Sequence, residues 1–464
     1  MIVESFKVIG LFGIINADLS FKRDLTVIIG RNASGKTSVL SLLAAFMHLD
    51  LESIRSMKFV SSAVQISNGD QAILIEAAND CDMPYIAIRW GDRSARIPLN
   101  DEPGLRGPRR VNSPALASFF GVSSSSEITE AIQGWSELSR EFKRHTKLTF
   151  VRLDRTVVAI NAQGEELRDE SATIFRHNNA VQNNNTKDPL DLVIGETRER
   201  FMRYKRELTV IRYDAYRALM KLHFKPVKPT SKKSNLATLE KKLSELRLRV
   251  SKSQFAKELP ETEEFFQSLD LLLKQAKAPI AKKSGRKTLA EESLQFMLEM
   301  SEQQLEGLLK IFDDEQQRAS RAEEELKRYV DVLERFLKES GKRLWFSDDR
   351  FELAFYVPAN GETASGQGRS LKTLSSGERQ VVIVLTYLAF LSGPNSVFII
   401  DEPELSLHLR WQGYLMSALK TLRPDGGQII VATHAPEVAG RAPQNCIQLK
   451  QAYMPEIEGP SNAE

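Results

Sequence analysis

The amino-terminal region combines strand-like apolar patterns with one amphipathic segment. Apolar and polar residues alternate from Ile2 to Ile9, and the mainly apolar stretch Leu25–Ile29 ends at Gly30. Both patterns are typical of β-strands. From Thr37 to Met47 large apolar residues recur at spacings of three and four, which predicts a helix. The expected order is therefore strand, loop, helix.

The carboxy-terminal third shows the pattern of a buried parallel sheet. Val397–Ile400 and Gln428–Ala432 are short apolar runs, as expected of parallel strands covered on both faces. Phe351–Val357 alternates and is predicted as a strand, Gly377–Leu391 is predicted as a helix, and Leu208–Arg212 is predicted as another short strand. The chain is therefore expected to have an α/β fold with a mixed sheet and helices.

Two helical arms are predicted in the middle of the chain. The first, residues 221–257, is rich in Lys and Arg, whereas Glu291–Glu339 carries 14 acidic and seven basic residues. Each arm has apolar residues at the four-three-four spacing of a coiled-coil seam. These residues are Leu239, Leu243, Leu246 and Val250 in the first arm, and Leu326, Val330, Leu333 and Leu337 in the second. A reversal at Lys277–Lys287 would make them an antiparallel coiled-coil hairpin with attracting charges.

Composition narrows the class of protein. The chain has 464 residues, of which 42% are hydrophobic and 27% charged, as in folded multidomain proteins. The net charge of +3 shows that the chain as a whole is not a polyanion-binding tail, so any nucleic-acid surface must be local. Two cysteines, Cys81 and Cys446, cannot form a disulfide framework, and no long uncharged apolar run or leader pattern is visible. We expect a cytoplasmic protein that makes no membrane contact.

The sharpest motif lies between the first predicted buried strand and helix. It fits the pattern G-x-x-x-x-G-K-[ST], in which backbone N–H groups and a helix amino terminus bind phosphates. Lys36 is expected to reach the β and γ phosphates of ATP, and the Thr37 hydroxyl to bind Mg²⁺. The predicted nucleotide-binding residues are Gly30, Arg31, Asn32, Ala33, Ser34, Gly35, Lys36, Thr37 and the adjoining Ser38.

A second motif places two carboxylates at the end of an apolar strand. Asp401 and Glu402 directly follow Val397–Ile400. We assign Asp401 to Mg²⁺, and Glu402 to catalysis through the attacking water. Acidic residues after a strand also cap helices, and this alternative explains the pair alone but not the pair together with a phosphate loop.

Two further segments resemble one class of nucleotide-binding protein. Leu374–Glu378 (LSSGE) resembles the signature of ABC-type ATPases, and Val431–His434 (VATH) resembles their switch-histidine segment. Gly377 precedes Asp401 by 24 residues, and 33 more lead to His434, in the family's order. The chain therefore resembles an ABC-type P-loop ATPase of the branch shared by SMC, Rad50, RecF and OLD proteins. The resemblance covers residues 1–50 and 370–440.

The resemblance implies a site shared between two copies of the chain. In that family the signature of one subunit closes on the γ phosphate held by the other, which assigns Ser375, Gly377 and Glu378 to nucleotide binding. His434 would contact the γ phosphate as a catalytic residue. Glu404–His408 would communicate across the interface, although a plain surface turn is the alternative. The family's Q-loop glutamine has no clear counterpart.

The same resemblance suggests a domain division. Residues 1–220 are expected to form the first part of the ATPase domain, with a loop and helical insertion at 92–205 that begins with a loop at Asp92–Arg110. Residues 221–344 would form the coiled-coil hairpin, and residues 345–464 the second part of the ATPase domain, with the signature, the acidic strand and the switch histidine.

Function remains open between several classes. The inserted hairpin argues against a transporter ATPase, and the absence of cysteine from Lys277–Lys287 argues against a Rad50-type hook. Only 30 residues follow His434, which leads us to expect no nuclease domain of the OLD type. The chain resembles the ATPase subunits of the bacterial antiphage systems Septu (PtuA) and PARIS (AriA).

We therefore expect an oligomeric ATPase that senses infection and controls a separate effector nuclease of HNH or Toprim type. The alternative is a RecF/SMC-like ATPase acting on DNA in repair or recombination. A scaffold that binds ATP without turning it over is a third possibility. The basic stretch 221–257 either contacts DNA or neutralises the acidic arm.

Overall fold

The computed structural model describes most of the chain in two compact units. The units comprise residues 1–199 with 328–464, and residues 200–327. The described residues are 1–31, 33–99, 114–122, 124–151, 157–159, 188–224, 236–253, 262–277, 289–358, 368–405, 407–440 and 443–449. The predicted reversal at Lys277–Lys287 lies outside them except for Lys277.

One sheet of the first unit is antiparallel and has the strand order β2-β1-β4-β5-β6-β7. Its strands alternate buried and solvent-facing residues, as expected of a sheet with one covered face. The bounds are β1 Ile2–Leu11, β2 Ile15–Ser20, β4 Ser61–Asn68, β5 Gln71–Ala78, β6 Tyr85–Trp90 and β7 Arg93–Pro98. The prediction of a loop from Asp92 to Arg110 is wrong for β7, which pairs with β6 across a tight turn at Gly91.

The second sheet is mainly parallel and has the order β15-β3-β14-β13-β8-β9. All its pairings are parallel except that of β8 with β9. Its bounds are β3 Leu25–Ile29, β8 Leu148–Val151, β9 Val157–Ala159, β13 Val397–Asp401, β14 Gln428–Thr433 and β15 Cys446–Gln448. Every residue of β13 and β14 is buried, which confirms the prediction of buried parallel strands here.

The described residues also form helices and a small sheet. The three-stranded antiparallel sheet has the order β10-β11-β12, formed by Arg343–Ser347, Glu352–Tyr356 and Arg369–Ser370. The helices are α1 Lys36–His48, α2 Leu51–Ser56, α3 Pro114–Phe120, α4 Ser125–His145, α5 Pro189–His223, α6 Leu236–Lys252, α7 Thr262–Lys277, α8 Leu289–Leu337, α9 Ser376–Thr386, α10 Leu409–Leu422 and α11 Pro436–Gly440. A π-helical turn at Tyr387–Leu391 continues α9.

Helix α1 is the centre of the main hydrophobic core. It is buried on all sides from Val39 to His48 and shares one apolar cluster with residues of both large sheets. Phe46 makes ring contacts with Phe6 of β1 and with Phe59, which precedes β4. The core therefore holds α1, and the loop that precedes it, in a fixed position.

The second unit pairs long helices in opposite directions. Arg200 and Asp214 of α5 form ion pairs with Glu325 and Arg318 of α8, so the residue numbers fall along α8 as they rise along α5. This order confirms a helical insertion with antiparallel helices, but the helix antiparallel to α8 is α5 rather than the predicted arm at 221–257. The predicted strand Leu208–Arg212 is wrong, because it lies within α5, where Leu208, Ile211 and Ala215 are buried at helical spacing.

The arm predicted at 221–257 runs in the opposite direction to the one expected relative to α8. Its described helix, α6, faces α8 and pairs with it in charge, as expected, but runs parallel to it: Lys242 contacts Glu302 at 2.7 Å and Arg249 contacts Asp313. The residues Leu239, Leu243 and Leu246 of the predicted seam are buried against apolar residues of α7 and α8. The antiparallel partner of α8 thus begins earlier in the chain, in α5.

Candidate active site

The phosphate loop lies between β3 and α1, and its backbone requires small residues. Gly35 has φ +88°, and a Cβ atom at this position would lie 2.3 Å from Ile15 Cδ1. A Cβ atom on Gly30 would lie 2.5 Å from Ser34 Oγ. A side chain at Gly35 would be strained by the positive φ, whereas one at Gly30 would require the Ser34 hydroxyl to move. Asn32 of the predicted motif lies outside the described residues.

Lys36 is buried at the first position of α1. Its Nζ atom donates to the carbonyls of Gly30 (2.9 Å) and Arg31 (3.2 Å) and lies 3.3 Å from Glu402 Oε1. Ser34 Oγ is buried in the same loop and has no hydrogen-bond partner among the residues described. A buried hydroxyl and an ammonium group on one loop suit an anion such as a phosphate.

Thr37 at the start of α1 contacts Asp401 at the end of β13. The Thr37 hydroxyl donates to Asp401 Oδ2 at 2.7 Å, and Asp401 is buried at the end of β13. A hydroxyl and a carboxylate are hard oxygen donors, which is the ligand type that Mg²⁺ prefers. The two residues therefore fit the magnesium role predicted for them.

Glu402 occupies a strained backbone position beside Lys36. Its φ is +48°, and its N–H donates to Ala432 of β14 at 2.8 Å, so the neighbouring strand holds the conformation. Burial alone would raise the pKa of Glu402, but hydrogen bonds with Glu404 and His434 and the charge of Lys36 outweigh it and hold the pKa below its ordinary value. Glu402 is therefore kept ionised, as a base must be.

His434 lies directly after β14 and contacts Glu402. Its Nδ1 atom makes a short contact with Glu402 Oε2 and lies 3.3 Å from Glu404 Oε1. The ring is partly exposed, whereas both carboxylates are buried. The imidazole thus links the interior carboxylates to the surface of the site.

Glu404 is a site residue that sequence reasoning missed. We assigned it only to a segment communicating across an interface, yet its carboxylate is buried and accepts hydrogen bonds from the switch segment after β14. Burial, and then the neighbouring Glu402, raise the pKa of Glu404. The one available signal was a third carboxylate two positions after Glu402.

The signature residues form a separate group at the start of α9. Ser375 is exposed there, and its N–H donates to Glu378 Oε2 at 2.8 Å. Glu378 is buried and its Oε1 accepts from Lys342 Nζ (2.6 Å) and Ser340 Oγ (2.7 Å). Its pKa is lowered because these hydrogen bonds outweigh burial. The structure thus gives Glu378 partners within its own chain and leaves Ser375 on the surface.

The structure brings five predicted residues into one connected site. Lys36, Thr37, Asp401, Glu402 and His434 are joined by hydrogen bonds or ion pairs. Lys36 and Thr37 begin α1, Asp401 ends β13, and Glu402 and His434 directly follow β13 and β14, so all five lie at one edge of the parallel sheet. The arrangement provides phosphate-binding charge, oxygen ligands for a cation and an ionised base within a few ångströms of each other.

A family model matches most of the chain. The family of the AAA ATPase domain matches residues 1–439. Protein ea59 of Escherichia phage lambda is 29% identical over 112 residues, which are 24% of this chain and 20% of that protein. UvrABC system protein A of Aquifex aeolicus (strain VF5) is 40% identical over 70 residues, 15% of this chain and 7% of that protein. The chain thus spans a fifth or less of these relatives.

Solved structures of Smc head domains are also similar at a low level. The Smc head domain with an extended coiled coil from Pyrococcus furiosus, bound to the C-terminal domain of ScpA, aligns with 97% of this chain and 94% of its own, at 13% identity and a TM-score of 0.35. The Smc head domain with a coiled coil and joint from Pyrococcus yayanosii aligns with 96% of this chain and 94% of its own, at 12% identity and a TM-score of 0.33.

Among the helices that are described here, none has the length and apolar character needed to span a membrane.

Proposed function

This chain belongs to the AAA ATPase domain family, and from that premise we propose that it binds and hydrolyses ATP in an ABC-type site that two copies complete. The observation that carries the proposal is the contact of Lys36 with Glu402 beside the Thr37–Asp401 hydrogen bond. These contacts bring Lys36, Thr37, Asp401 and Glu402 together at one sheet edge, which supports the roles proposed for them in binding phosphate, in binding Mg²⁺ and as the base. We propose a cytoplasmic location.

The chain's own residues account for the chemistry. Lys36 and the Ser34 hydroxyl would bind the phosphate oxygens, and Glu402 would take a proton from the attacking water because its carboxylate is ionised. His434 would bind the γ phosphate through the part of its ring that is exposed. Mg²⁺, held by Thr37 and Asp401, would supply positive charge to the phosphate oxygens.

The position of the signature supports a site shared between copies. Ser375 is exposed at the amino-terminal cap of α9, so a hydroxyl and the positive end of a helix lie at the surface of the chain. Glu378 fixes this end of the helix from inside the chain. A second copy could therefore present its signature to the γ phosphate bound by the first.

The particle mass tests the shared site. We expect Glu402→Gln to retain ATP, to hydrolyse it slowly and to sediment as a dimer or larger ring with ATP-Mg²⁺ but not without it. The matched control combines Glu402→Gln with Ser375→Arg, which should bind ATP but stay in the smaller form, because Ser375 is exposed and its replacement leaves the interior unchanged. A mass that ATP does not alter would contradict the shared site.

We further propose that the ATPase belongs to a bacterial antiphage system and controls a separate effector nuclease of HNH or Toprim type. The order of phosphate loop, insertion, signature, acidic strand and switch supports this proposal through the resemblance to Septu and PARIS ATPases. The test is phage restriction by cells that express the chain with its neighbouring genes. Restriction that depends on Lys36 and on the neighbour supports the proposal, whereas no restriction contradicts it.

The second candidate is an ATPase that acts on DNA in repair or recombination. The 70-residue similarity to UvrABC system protein A favours it. The ion pairs of α6 argue against DNA contact through residues 221–257, because Lys242 and Arg249 already bind acidic residues of α8. Sensitivity of a deletion strain to DNA damage, with unchanged sensitivity to phage, would favour this candidate over the first.

A further inference from the structure

Glu404 is bound to three donors that follow one another in the chain. Its Oε1 atom accepts from the backbone N–H of His434 (3.1 Å), the backbone N–H of Ala435 (3.2 Å) and the hydroxyl of Thr433. The side chain is 3% exposed. Water therefore has little access to replace these bonds if the carboxylate is removed.

These bonds determine where the chain leaves β14. Thr433 is the last residue of the strand, so the N–H groups of His434 and Ala435 lie beyond its ladder. The Thr433 hydroxyl also accepts from Ala435 N at 3.0 Å, which closes the turn on itself. A single oxygen of Glu404 thus satisfies the backbone on either side of the His434 Cα atom.

The same turn sets the direction of the catalytic imidazole. His434 Nδ1 contacts Glu402 and lies 3.3 Å from the Glu404 oxygen that holds its backbone. Only two residues separate Glu404 from Asp401, yet Glu404 makes none of the described hydrogen bonds or ion pairs with Lys36 or Thr37. The described contacts of Glu404 are therefore in the part of the site that holds Glu402 and His434, and not with the phosphate loop.

We propose that Glu404 is a positioning residue for ATP hydrolysis, which fixes the Thr433–Ala435 turn and thereby holds His434 against Glu402. The inference rests on the proposed ATPase function, and it assigns to Glu404 an effect on hydrolysis that is exerted through His434. Loss of the acceptor would leave the backbone N–H of His434 without its partner and the N–H of Ala435 with the Thr433 hydroxyl alone, which would loosen the turn. A displaced catalytic group slows the chemical step more than it weakens the binding of substrate.

Steady-state kinetics of matched variants test this role. We expect Glu404→Ala to lower kcat by about 100-fold, the loss typical of a misplacement near 1 Å, with KM for ATP changed by less than about threefold. Glu404→Gln retains an oxygen acceptor for the same three donors and should keep kcat within about fivefold of the parent. ATP binding and thermal unfolding of both variants establish that the fold is intact.

A double variant separates positioning from an independent contribution. If Glu404 acts through His434, Glu404→Ala combined with His434→Ala should be no slower than His434→Ala alone. Multiplied losses in the double variant, or a Glu404→Gln variant as slow as Glu404→Ala, would overturn the inference. If the parent hydrolyses ATP and the Glu404→Ala variant hydrolyses it equally fast, this inference alone is refuted. If the parent does not hydrolyse ATP, the proposed function is refuted and this inference with it.

Discussion

Two Lys–Glu pairs of this chain differ in ways that separate chemistry from support. Lys36 and Glu402 lie 3.3 Å apart with side chains 5% and 10% exposed, whereas Lys242 and Glu302 lie 2.7 Å apart with side chains 20% and 21% exposed. The longer contact belongs to the candidate active site, and the shorter one joins helices α6 and α8. Distance alone therefore does not rank the two pairs.

The surroundings of the pairs explain their different importance. Solvent screens the attraction between Lys242 and Glu302, and water can hydrate either partner when the other is substituted. Such a pair therefore contributes little to the free energy of unfolding. Lys36 and Glu402 are shielded from water, and removal of one charge leaves the other buried without compensation. A buried ion pair is weak support for stability but strong control over protonation, which is what a base beside a phosphate site requires.

The largest effect is expected at Lys36. We predict that Lys36→Ala lowers the affinity for ATP-Mg²⁺ by at least about 100-fold, because two or more charge-assisted hydrogen bonds to phosphate are lost. Lys242→Ala is the matched control and should bind ATP as the parent does. Titration calorimetry measures both, and equal affinity of Lys36→Ala and Lys242→Ala would remove the distinction between the two pairs.

A buried histidine should make the stability of the fold sensitive to acid. Burial, and then the charge of Lys143, lower the pKa of His48 from 6.5 to about 4. The unfolded chain therefore binds a proton that the folded chain does not as the pH falls from 6.5 towards 4, and this site alone should cost up to roughly 3 kcal/mol of unfolding free energy. Urea unfolding at pH 7 and pH 4 measures the loss.

The His48→Leu variant isolates this contribution from that of the carboxylates. The variant should lose less unfolding free energy than the parent between the two pH values, because it has no side chain at this position to protonate. Identical losses in the variant and the parent would show that His48 does not remain neutral in the folded chain.

The smallest effect is expected at Lys242. Lys242→Gln should lower the free energy of unfolding by less than about 1 kcal/mol, since the contacts with Glu302 and Glu306 are partly solvated. The difference from the parent should shrink further in high salt. Urea unfolding at two salt concentrations measures it, and a loss as large as that expected for a buried pair would contradict the comparison.

Local motifs were predictable from the sequence, and distant contacts were not. The phosphate loop and the Asp401–Glu402 pair follow strands whose apolar runs are visible in the sequence, so their placement at one sheet edge could be expected. Glu404 escaped notice because its partners begin 29 residues later, at Thr433. No local pattern indicates that such a carboxylate holds a turn.

The helical unit shows a different limit of sequence reasoning. Leu208–Arg212 combines β-branched residues in an apolar run, which favours a strand, but burial of Leu208, Ile211 and Ala215 on one side selects a helix. The charges of the arm at 221–257 correctly predicted attraction to α8. They could not determine its direction, because attraction is satisfied equally by parallel and antiparallel helices.

The most direct test of the account is ATP turnover by the purified chain and by its Glu402→Gln variant. The account predicts that the parent hydrolyses ATP and that the variant binds ATP with similar affinity while its kcat falls by at least about 100-fold, the usual range for loss of a general base. Equal turnover by the parent and the variant would contradict the assignment of Glu402 as the base and, with it, the central claim about the site.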